Sequence, residues 1–300
     1  IGALLPGSGN PVNGTVSAAI IPGYPQGLRQ NSGLKTAPRL GFAYDPFGRG
    51  RTAIRGGIGL FYEMRDKDNF AYGFNLNPPL RRDPIIYYGQ LDSFLTAPGY
   101  DFPAASSGID PVRQVARVTN YSFSVQQAVA RGTVVDVAYV GALGRHLLQR
   151  RNVNSIPFGA NFDPANADAS NGGRVLPAAF LRPYTGYNDI FYYANDGNSS
   201  YHSLQVTANR RFARGVNFGA AWTWSKAMDY TDSETGTIST LVNPKVWNYG
   251  KAGFDVTHIL KLNWFWELPR LSRAWSNRFS RAAFDGWQVS GIGTLASGRP

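Results

Sequence analysis

Three carboxylates, Asp229, Asp232 and Glu234, lie close together in one segment of the sequence and could do chemistry. Carboxylate oxygens at short spacing can bind Ca²⁺, and a carboxylate pair can cleave a glycosidic bond. The segment has the character of a long link between strands. We therefore favour a solvated loop over a metal site or a glycosidase centre.

The three histidines, His146, His202 and His258, are also candidates for chemistry. They are far apart in the sequence, and none has a partner at the spacing of metal ligands. We expect ordinary loop or strand-end histidines and no metal site.

Sequence motifs of catalysis are missing. The chain has no nucleophile elbow, no phosphate-binding P-loop and no zinc-protease motif. The segment from Gly291 to Ala296 fits a loose dinucleotide-binding pattern, but it lies inside a predicted strand and opens no helix. Cysteine is absent, which removes Cys nucleophiles, thiolate metal sites and disulfides. We expect no enzyme, no catalytic residue and no cofactor.

Aromatic residues crowd two of the long links. The later group is the stronger candidate for ligand binding, because aromatic rings can stack on sugars and other ligands, or simply pack the loops together. It comprises Tyr184, Tyr187, Phe191, Tyr192 and Tyr193. The earlier group comprises Tyr72, Phe74, Tyr87 and Tyr88.

The composition favours a β protein with many turns. Aromatic residues make up 14% of the chain and charged residues only 16%, and there are 34 glycines and 19 prolines. No apolar run reaches the roughly 18 residues of a transmembrane helix. The net charge is +11, but basic residues are scattered or paired, which favours loops and pore walls over a nucleic-acid surface.

Two stretches of the chain, Tyr121–Tyr139 and Leu204–Trp222, have the same hairpin pattern around an Arg-Gly pair. Apolar and polar residues alternate on both arms, which is typical of antiparallel strands. A three-residue loop, 130–132 or 213–215, keeps both arms of each hairpin on one face. The pattern predicts these pairs: Val129–Thr133, Val125–Val137, Phe123–Tyr139, Phe212–Val216, Ala208–Ala220, Val206–Trp222 and Leu204–Trp224.

The same alternation predicts eight strands. They span residues 39–45, 52–62, 119–129, 133–142, 202–212, 216–226, 255–267 and 285–296. Short turns at 45–51, 130–132 and 213–215 alternate with long links at roughly 63–118, 144–200 and 227–253. The alternation predicts a short turn after the strand 255–267, but the link there, at 268–284, is long. Outer-membrane barrels have short periplasmic turns and longer extracellular loops.

Charges and aromatics fit a barrel that faces lipid on one side. Arg55, Asp136, Arg211 and Lys261 fall on the polar faces of their strands, so we expect them to line the lumen. Arg210 and Lys226 fall on the apolar face, close to strand ends. Aromatic girdles are expected at both ends of the strands: Tyr62, Tyr139, Trp222 and Trp224 near the long links, and Trp264 and Trp266 near the turns.

The sequence resembles the TonB-dependent outer-membrane receptors, specifically the Oar-like type. The resemblance runs from about Pro38 to Pro300. It is carried by the order and spacing of seven segments: 38–48, 55–62, 120–126, 139–146, 201–206, 222–226 and 286–292.

The resemblance implies an all-β fold, an antiparallel transmembrane barrel of about 22 strands. This chain would supply eight of them, with long extracellular loops, short periplasmic turns and a bacterial outer-membrane location. We expect residues 1–300 to be a single partial barrel domain and an internal fragment, with a loop at 1–38 and hairpins at 39–300. The plug domain would be absent from it.

The expected function is import of a scarce nutrient, such as a carbohydrate, peptide or metal chelate, through a plugged barrel. The implied partners are outer-membrane lipid, an unknown nutrient ligand, and the TonB complex through the missing N-terminal part. No nucleic acid is expected. The alternatives are a non-transporting adhesion or structural barrel and a soluble all-β glycosidase.

Overall fold

The computed structural model describes much of the chain. The described residues are 3–4, 15–16, 21–63, 77, 90, 92, 105–129, 132–184, 187–213, 215–233, 236–270, 272 and 278–300.

In the described ranges, eight long strands form one antiparallel sheet, in which each strand pairs with its neighbours in the sequence. This confirms the predicted number and order of strands. Their bounds are β1 Arg39–Tyr44, β2 Thr52–Glu63, β3 Ala116–Ala128, β4 Thr133–Asn152, β5 Ile190–Ala213, β6 Val216–Asp229, β7 His258–Glu267 and β8 Gln288–Ala296.

Shorter elements lie in the connections. The short strands are Ala3–Leu4, Thr15–Val16, Ser106–Ile109, Ala167–Asp168, Arg174–Val175, Thr237–Ser239 and Gly250–Lys251. The α-helices are Ala178–Leu181, Pro244–Trp247 and Arg278–Phe284, and the 3₁₀ turns are Ala160–Phe162, Pro164–Asn166 and Ala169–Asn171. None of the helices in the described ranges has the length and apolar character needed to cross a membrane.

The strand register separates an apolar face from a polar face. A central row on the apolar face runs from β2 to β8 through Ile54, Val125, Val137, Val206, Trp222, Leu260 and Leu295. The adjacent row on the polar face contains Ala53, Gln126, Asp136, Thr207, Ala221, Lys261 and Thr294. Large apolar side chains stay exposed on the apolar face; Phe123 is 50% exposed and Trp224 is 52% exposed. This pattern fits a sheet whose apolar face meets lipid.

The first Arg-Gly hairpin has the predicted register. Val125 pairs with Val137 and Phe123 with Tyr139. The amide of Val129 donates to the carbonyl of Thr133 at 2.8 Å. Gly132 has φ +71°, which is the left-handed conformation expected of glycine in such a loop.

The second hairpin differs from the prediction at its turn. Ala208, Val206 and Leu204 have their predicted partners, but the predicted pair Phe212–Val216 is wrong, because Ala213 pairs with Val216 instead. A one-residue irregularity between Arg210 and Ala213 shifts the register. A bulge of this kind adds a residue to one strand, and alternation alone does not reveal it.

The two turn glycines should differ in their sensitivity to substitution. Gly132→Ala should cost about 1–2 kcal/mol of unfolding free energy, because an L residue is strained in the left-handed conformation. Gly215→Ala should cost more, because Gly215 has φ +77° and an added Cβ would also lie 3.2 Å from the Glu267 carbonyl oxygen. No atom lies within 4 Å of such a Cβ at Gly132.

Urea unfolding of the full-length barrel in liposomes would measure both variants. Gly132→Asn serves as the control, since asparagine tolerates the left-handed region better than alanine. Equal losses for Gly132→Ala and Gly215→Ala would contradict the role given to the Glu267 carbonyl.

Aromatic side chains mark both ends of the apolar face, as predicted. Near the long links, the hydroxyls of Tyr121 and Tyr139 lie 3.1 and 2.9 Å from Nδ1 of His202. Trp222 stacks on His258 with ring centroids 5.9 Å apart. Lys226, on the same face, pairs with His202 in the strand register. We call Tyr121, Tyr139, Trp222, Trp224, His202 and His258 the aromatic belt.

Trp264 and Trp266 lie at the turn end of the same face, opposite Phe218 and Val216. The rings of Trp264, Phe42 and Tyr121 each cover a glycine on the neighbouring strand. A Cβ added at Gly56, Gly141 or Gly291 would come within 2.4 Å of the ring of Phe42, Tyr121 or Trp264, respectively. Glycine at these positions lets a ring lie flat across the adjacent backbone.

One long connection differs from the sequence prediction, and the long link predicted at 268–284 is confirmed. Strands β4 and β5 contain 20 and 24 residues, so the predicted link 144–200 is much shorter. The connection after β7 is long because it contains the helix Arg278–Phe284. Asp285 closes this connection by accepting from the Ser272 hydroxyl at 2.7 Å, and that hydrogen bond lowers the pKa of Asp285.

Candidate functional site

Strands β4 and β5 extend well beyond a membrane-spanning length. A barrel strand needs about 9–11 residues to cross the bilayer. The extra residues of β4 and β5 pair with each other, from Leu147–Gly197 to Asn152–Phe191. The sheet therefore continues past the aromatic belt at the long-link end.

Two short strands from other links join this extension. Ser106–Ile109 pairs in parallel with Ile190–Tyr193. Thr237–Ser239 pairs in parallel with Arg150–Asn152. We call the four segments 106–109, 149–152, 190–193 and 237–239 the platform. Segments from three different links thus meet in one structure at this end of the barrel.

The interior of the platform is made of buried apolar side chains. Ile109, Ile190 and Ile238 are almost completely buried. Ile109 packs with Tyr193, and Leu28, Leu148 and Phe191 lie against this pair. Burial of these apolar side chains stabilises the platform at a place where sequence alone indicates only loops.

The side chain of Asn154 holds the link after β4 in place through hydrogen bonds to its backbone. It is fully buried, and its amide nitrogen donates to the carbonyls of Tyr184, Tyr187 and Asn188 at 3.2, 3.2 and 2.8 Å. Its oxygen accepts from the Tyr184 amide at 2.8 Å. One buried amide therefore contacts four backbone groups of this link, with its two N–H groups shared among three carbonyls.

Further polar contacts hold the platform at its edges. Asn77 donates to the Ser107 carbonyl and accepts from the Ser107 amide, both at 2.7 Å, so its side chain pairs with the outer edge of segment 106–109. Arg150 lies over the Phe191 ring, 4.5 Å from its centroid, and its Nε donates to Thr237 Oγ1 at 2.9 Å. Covered edges protect the platform strands from pairing with other chains.

The five candidate ligand-binding aromatics all lie in or beside the platform. Tyr187 and Tyr193 are buried, with 4% and 6% exposure, and burial raises the pKa of the Tyr187 hydroxyl, which keeps it neutral. Tyr184 packs against Tyr187 and Ile190. Phe191 and Tyr192 are partly exposed, and they point to opposite faces of the platform because strand residues alternate. The earlier group, Tyr72, Phe74, Tyr87 and Tyr88, lies outside the described residues.

Strand pairing assigns three of the four predicted lumen charges to the polar face of the sheet. Arg55, Asp136 and Lys261 are on the polar face by register. Arg55 and Asp136 both line an open hollow of about 740 Å³ with Ser122, Ser124 and Ala138. Arg211 is exposed and lies within the register irregularity of β5, so strand pairing does not assign it to a face.

The carboxylate and histidine candidates are dispersed or engaged with the backbone. Asp232 accepts from the Gly253 amide at 2.7 Å, and Glu234 lies outside the described residues. His202 and His258 belong to the aromatic belt, whereas His146 lies beyond it in β4. Within the described ranges, no three His, Asp or Glu side chains come together in a way that could hold a metal ion.

Sequence reasoning missed Asn152, Asn154 and the two parallel strands of the platform. Asn152 donates to Asp189 at 2.7 Å, and Arg182 reaches the same carboxylate and the Asn154 carbonyl, each at 2.6 Å. The only signal for these contacts was the sequence Asn152-Val-Asn154 within the predicted link 144–200. Asparagine is common in links, so that signal carries little information by itself.

Comparison with known proteins gives one family match and several structural likenesses. The family model of the outer membrane beta barrel domain matches residues 2–300. No curated protein matches the chain.

Among solved structures, the chain is similar to the outer membrane transporter YddB from Escherichia coli, with 13% identity and a TM-score of 0.48 over 76% of this chain and 26% of that one. It is also similar to the FrpB iron transporter from Neisseria meningitidis, with 10% identity and a TM-score of 0.38 over 78% and 25%. The siderophore receptor PirA from Pseudomonas aeruginosa gives 12% identity and a TM-score of 0.37 over 78% and 31%.

The chain spans between 25% and 31% of the length of these three solved chains. The family model, by contrast, matches nearly all of this chain. The observed sheet has the features of such a barrel, namely antiparallel strands, one apolar face and an aromatic belt. The chain therefore belongs to the outer membrane beta barrel domain family, and its place is the bacterial outer membrane.

Proposed function

We propose that this chain is part of the wall of a TonB-dependent outer-membrane receptor that imports a scarce nutrient. The platform is the observation that supports the proposal most directly. Segments of three long links are packed together at one end of the sheet, where a ligand arriving from outside would first meet the barrel. At the other end the described connections are short turns, except the one after β7, which contains the helix Arg278–Phe284.

Ligand capture is assigned to the aromatic residues around the platform. Partly exposed Tyr184, Phe191 and Tyr192 offer ring surface, whereas buried Tyr187 and Tyr193 hold the backbone that carries them. Aromatic rings bind sugars, peptides and the aromatic parts of metal chelates through the same apolar surface. The nutrient is accordingly a carbohydrate, a peptide or a metal chelate.

Passage through the barrel is assigned to the polar face. Arg55, Asp136, Arg211 and Lys261 would set the charge of the lumen. Contact with the TonB complex would fall to a plug domain elsewhere in the full-length protein. Energy transfer from TonB would then release the ligand that the long links have captured.

Uptake by whole cells tests this function. Deleting the gene should abolish uptake of one labelled nutrient class among oligosaccharides, peptides and ferric chelates. A protonophore should abolish the same uptake in wild-type cells, because the import is energised. Unchanged uptake of every class, together with loss of surface attachment, would contradict transport and support an adhesion or structural barrel.

A single variant tests the ligand site. Tyr192→Ala should weaken binding of that nutrient by about three- to tenfold, because one aromatic contact is lost. Phe162→Ala is the matched control, since Phe162 is 90% exposed in the same link and lies outside the platform. Equal affinities for both variants would contradict the assignment of Tyr192.

A further inference from the structure

The connection from β7 to β8 carries a helix that no other described part of the chain covers. The helix spans Arg278–Phe284, and each of its described side chains, which are all but that of residue 280, is exposed. Phe279 is 88% exposed and Phe284 is 45% exposed. Two exposed rings on one short helix indicate a surface that meets a membrane or a partner.

The helix is amphipathic. Phe279 and Ala283 are four residues apart, so they share one face. Arg278 and Arg281 are three residues apart and share a different face. A helix with an aromatic ring on one face and arginines on another is typical of helices that lie in the plane of a membrane surface.

The strand register places the end of this helix on the lipid side of the wall. Trp266 pairs with Val289 on the apolar face. The Leu268 amide donates to the Trp287 carbonyl at 2.9 Å, so Leu268 and Trp287 form the next pair on that face. The indole Nε1 of Trp287 donates to the Ala283 carbonyl at 2.7 Å. The last turn of the helix therefore contacts a side chain that points toward lipid.

The connection itself holds the helix in this position. The hydroxyl and the amide of Ser272 donate to the Asp285 carboxylate at 2.7 and 3.2 Å. These contacts tie the segment before the helix to the residue after it. Gly286 takes the left-handed conformation, with φ +79°, where the chain turns into β8. The helix thus stays close to the end of the wall.

Positive charge dominates the connection. Residues 268–287 contain a single carboxylate, Asp285, which Ser272 already engages. The same residues contain four arginines, namely Arg270, Arg273, Arg278 and Arg281. A basic segment next to a membrane is attracted to anionic lipid headgroups.

We propose that this helix lies in the plane of the periplasmic surface of the outer membrane and anchors the β7–β8 connection to anionic phospholipid. The end of the sheet with the short turns is the periplasmic end. Phe279 enters the boundary of the acyl chains, and Arg278 and Arg281 contact phosphate groups. The membrane is the partner because lipid-facing Trp287 contacts the helix. The anchor belongs to the barrel wall and goes beyond nutrient import.

Spin labels on the full-length protein in liposomes that contain phosphatidylglycerol test the anchor. Single cysteines at Phe279→Cys and Arg281→Cys, in a background without other cysteines, carry the nitroxide. The ratio of oxygen to nickel-chelate accessibility should be at least about threefold higher at residue 279, because oxygen concentrates among acyl chains and the chelate stays in water. Arg49→Cys, an exposed position in the turn 45–51 at the same end of the sheet, is the control and should resemble residue 281.

Three results would overturn the proposal. Equal ratios at residues 279 and 281 would contradict the in-plane orientation of the helix. Low accessibility of residue 279 to both reagents in outer-membrane vesicles from cells, but not in liposomes, would assign this surface to another periplasmic protein. An unchanged ratio at residue 279 after phosphatidylcholine replaces phosphatidylglycerol would remove anionic lipid as the partner.

Trp287→Phe tests the contact that places the helix. Phenylalanine keeps an apolar ring but has no N–H group for the Ala283 carbonyl, so the accessibility ratio at residue 279 should fall by about twofold. Trp264→Phe is the matched control, since Trp264 lies on the same face with its ring over Gly291. Equal ratios in the two variants would contradict the role of Trp287 in holding the helix at the membrane.

Discussion

Replacing Val206 with arginine should destabilise the barrel by about 1–3 kcal/mol, because it places a charge on the lipid side of the wall, between the bilayer midplane and the aromatic belt. Val206 lies in the central row of the apolar face, between Val137 and Trp222. Equilibrium unfolding of the full-length protein in liposomes, followed by tryptophan fluorescence, measures the loss.

Its neighbour in the chain provides the control. Thr207 lies on the polar face directly opposite Asp136, so Thr207→Arg places a cation beside a carboxylate in the lumen. We expect Thr207→Arg to change the unfolding free energy by less than about 1 kcal/mol. Similar losses for the two variants would show that the two faces are wrongly assigned.

Replacing Asn154 with alanine should open the platform while leaving the membrane-spanning strands intact. Buried groups that lose their partner cost about 1–3 kcal/mol each, so we expect the local opening free energy to fall by about 3 kcal/mol. Hydrogen exchange measures this at the amides of Val153 and Tyr187, which donate to the carbonyls of Ile190 and Tyr184.

Two further variants sharpen the test. Asn154→Asp keeps an oxygen acceptor for the Tyr184 amide but loses the donor to three carbonyls, so it should be as damaging as alanine. Asn31→Ala removes an exposed asparagine that accepts only a local hydrogen bond from Gly33 and should have no effect on exchange. Unchanged protection of these amides from hydrogen exchange in Asn154→Ala would show that the Asn154 side chain does not hold the link in place.

The faces of the sheet could be predicted from sequence because alternation is a local signal. A residue such as Val125 and its partner Val137 share a face in any antiparallel hairpin with an odd loop. The full length of β4 could not be predicted. Beyond residue 142 the run Leu-Gly-Arg-His-Leu-Leu-Gln-Arg-Arg loses alternation, since its surroundings are other links rather than lipid on one side and lumen on the other.

The candidate site was predicted only in outline. The crowding of aromatics at 184–193 predicted ligand binding or packing between loops, and the structure shows Tyr187 packed with Ile190 and Tyr193 packed with Ile109. Ile109 lies far away in the chain, and its contact with Tyr193 follows from a parallel pairing that sequence spacing does not indicate. A cavity lined by Lys35, Arg117 and His146 likewise brings together separate segments of the chain.

The parallel strands of the platform also set an order of assembly. Each long strand pairs with its sequence neighbours, so the wall can grow by adding one strand after another to the strand that precedes it in the chain. Segment 237–239 can join segment 150–152 only after β5 and β6 have been synthesised between them. The platform therefore closes late, and its closure reports that the hairpins beneath it are already in place.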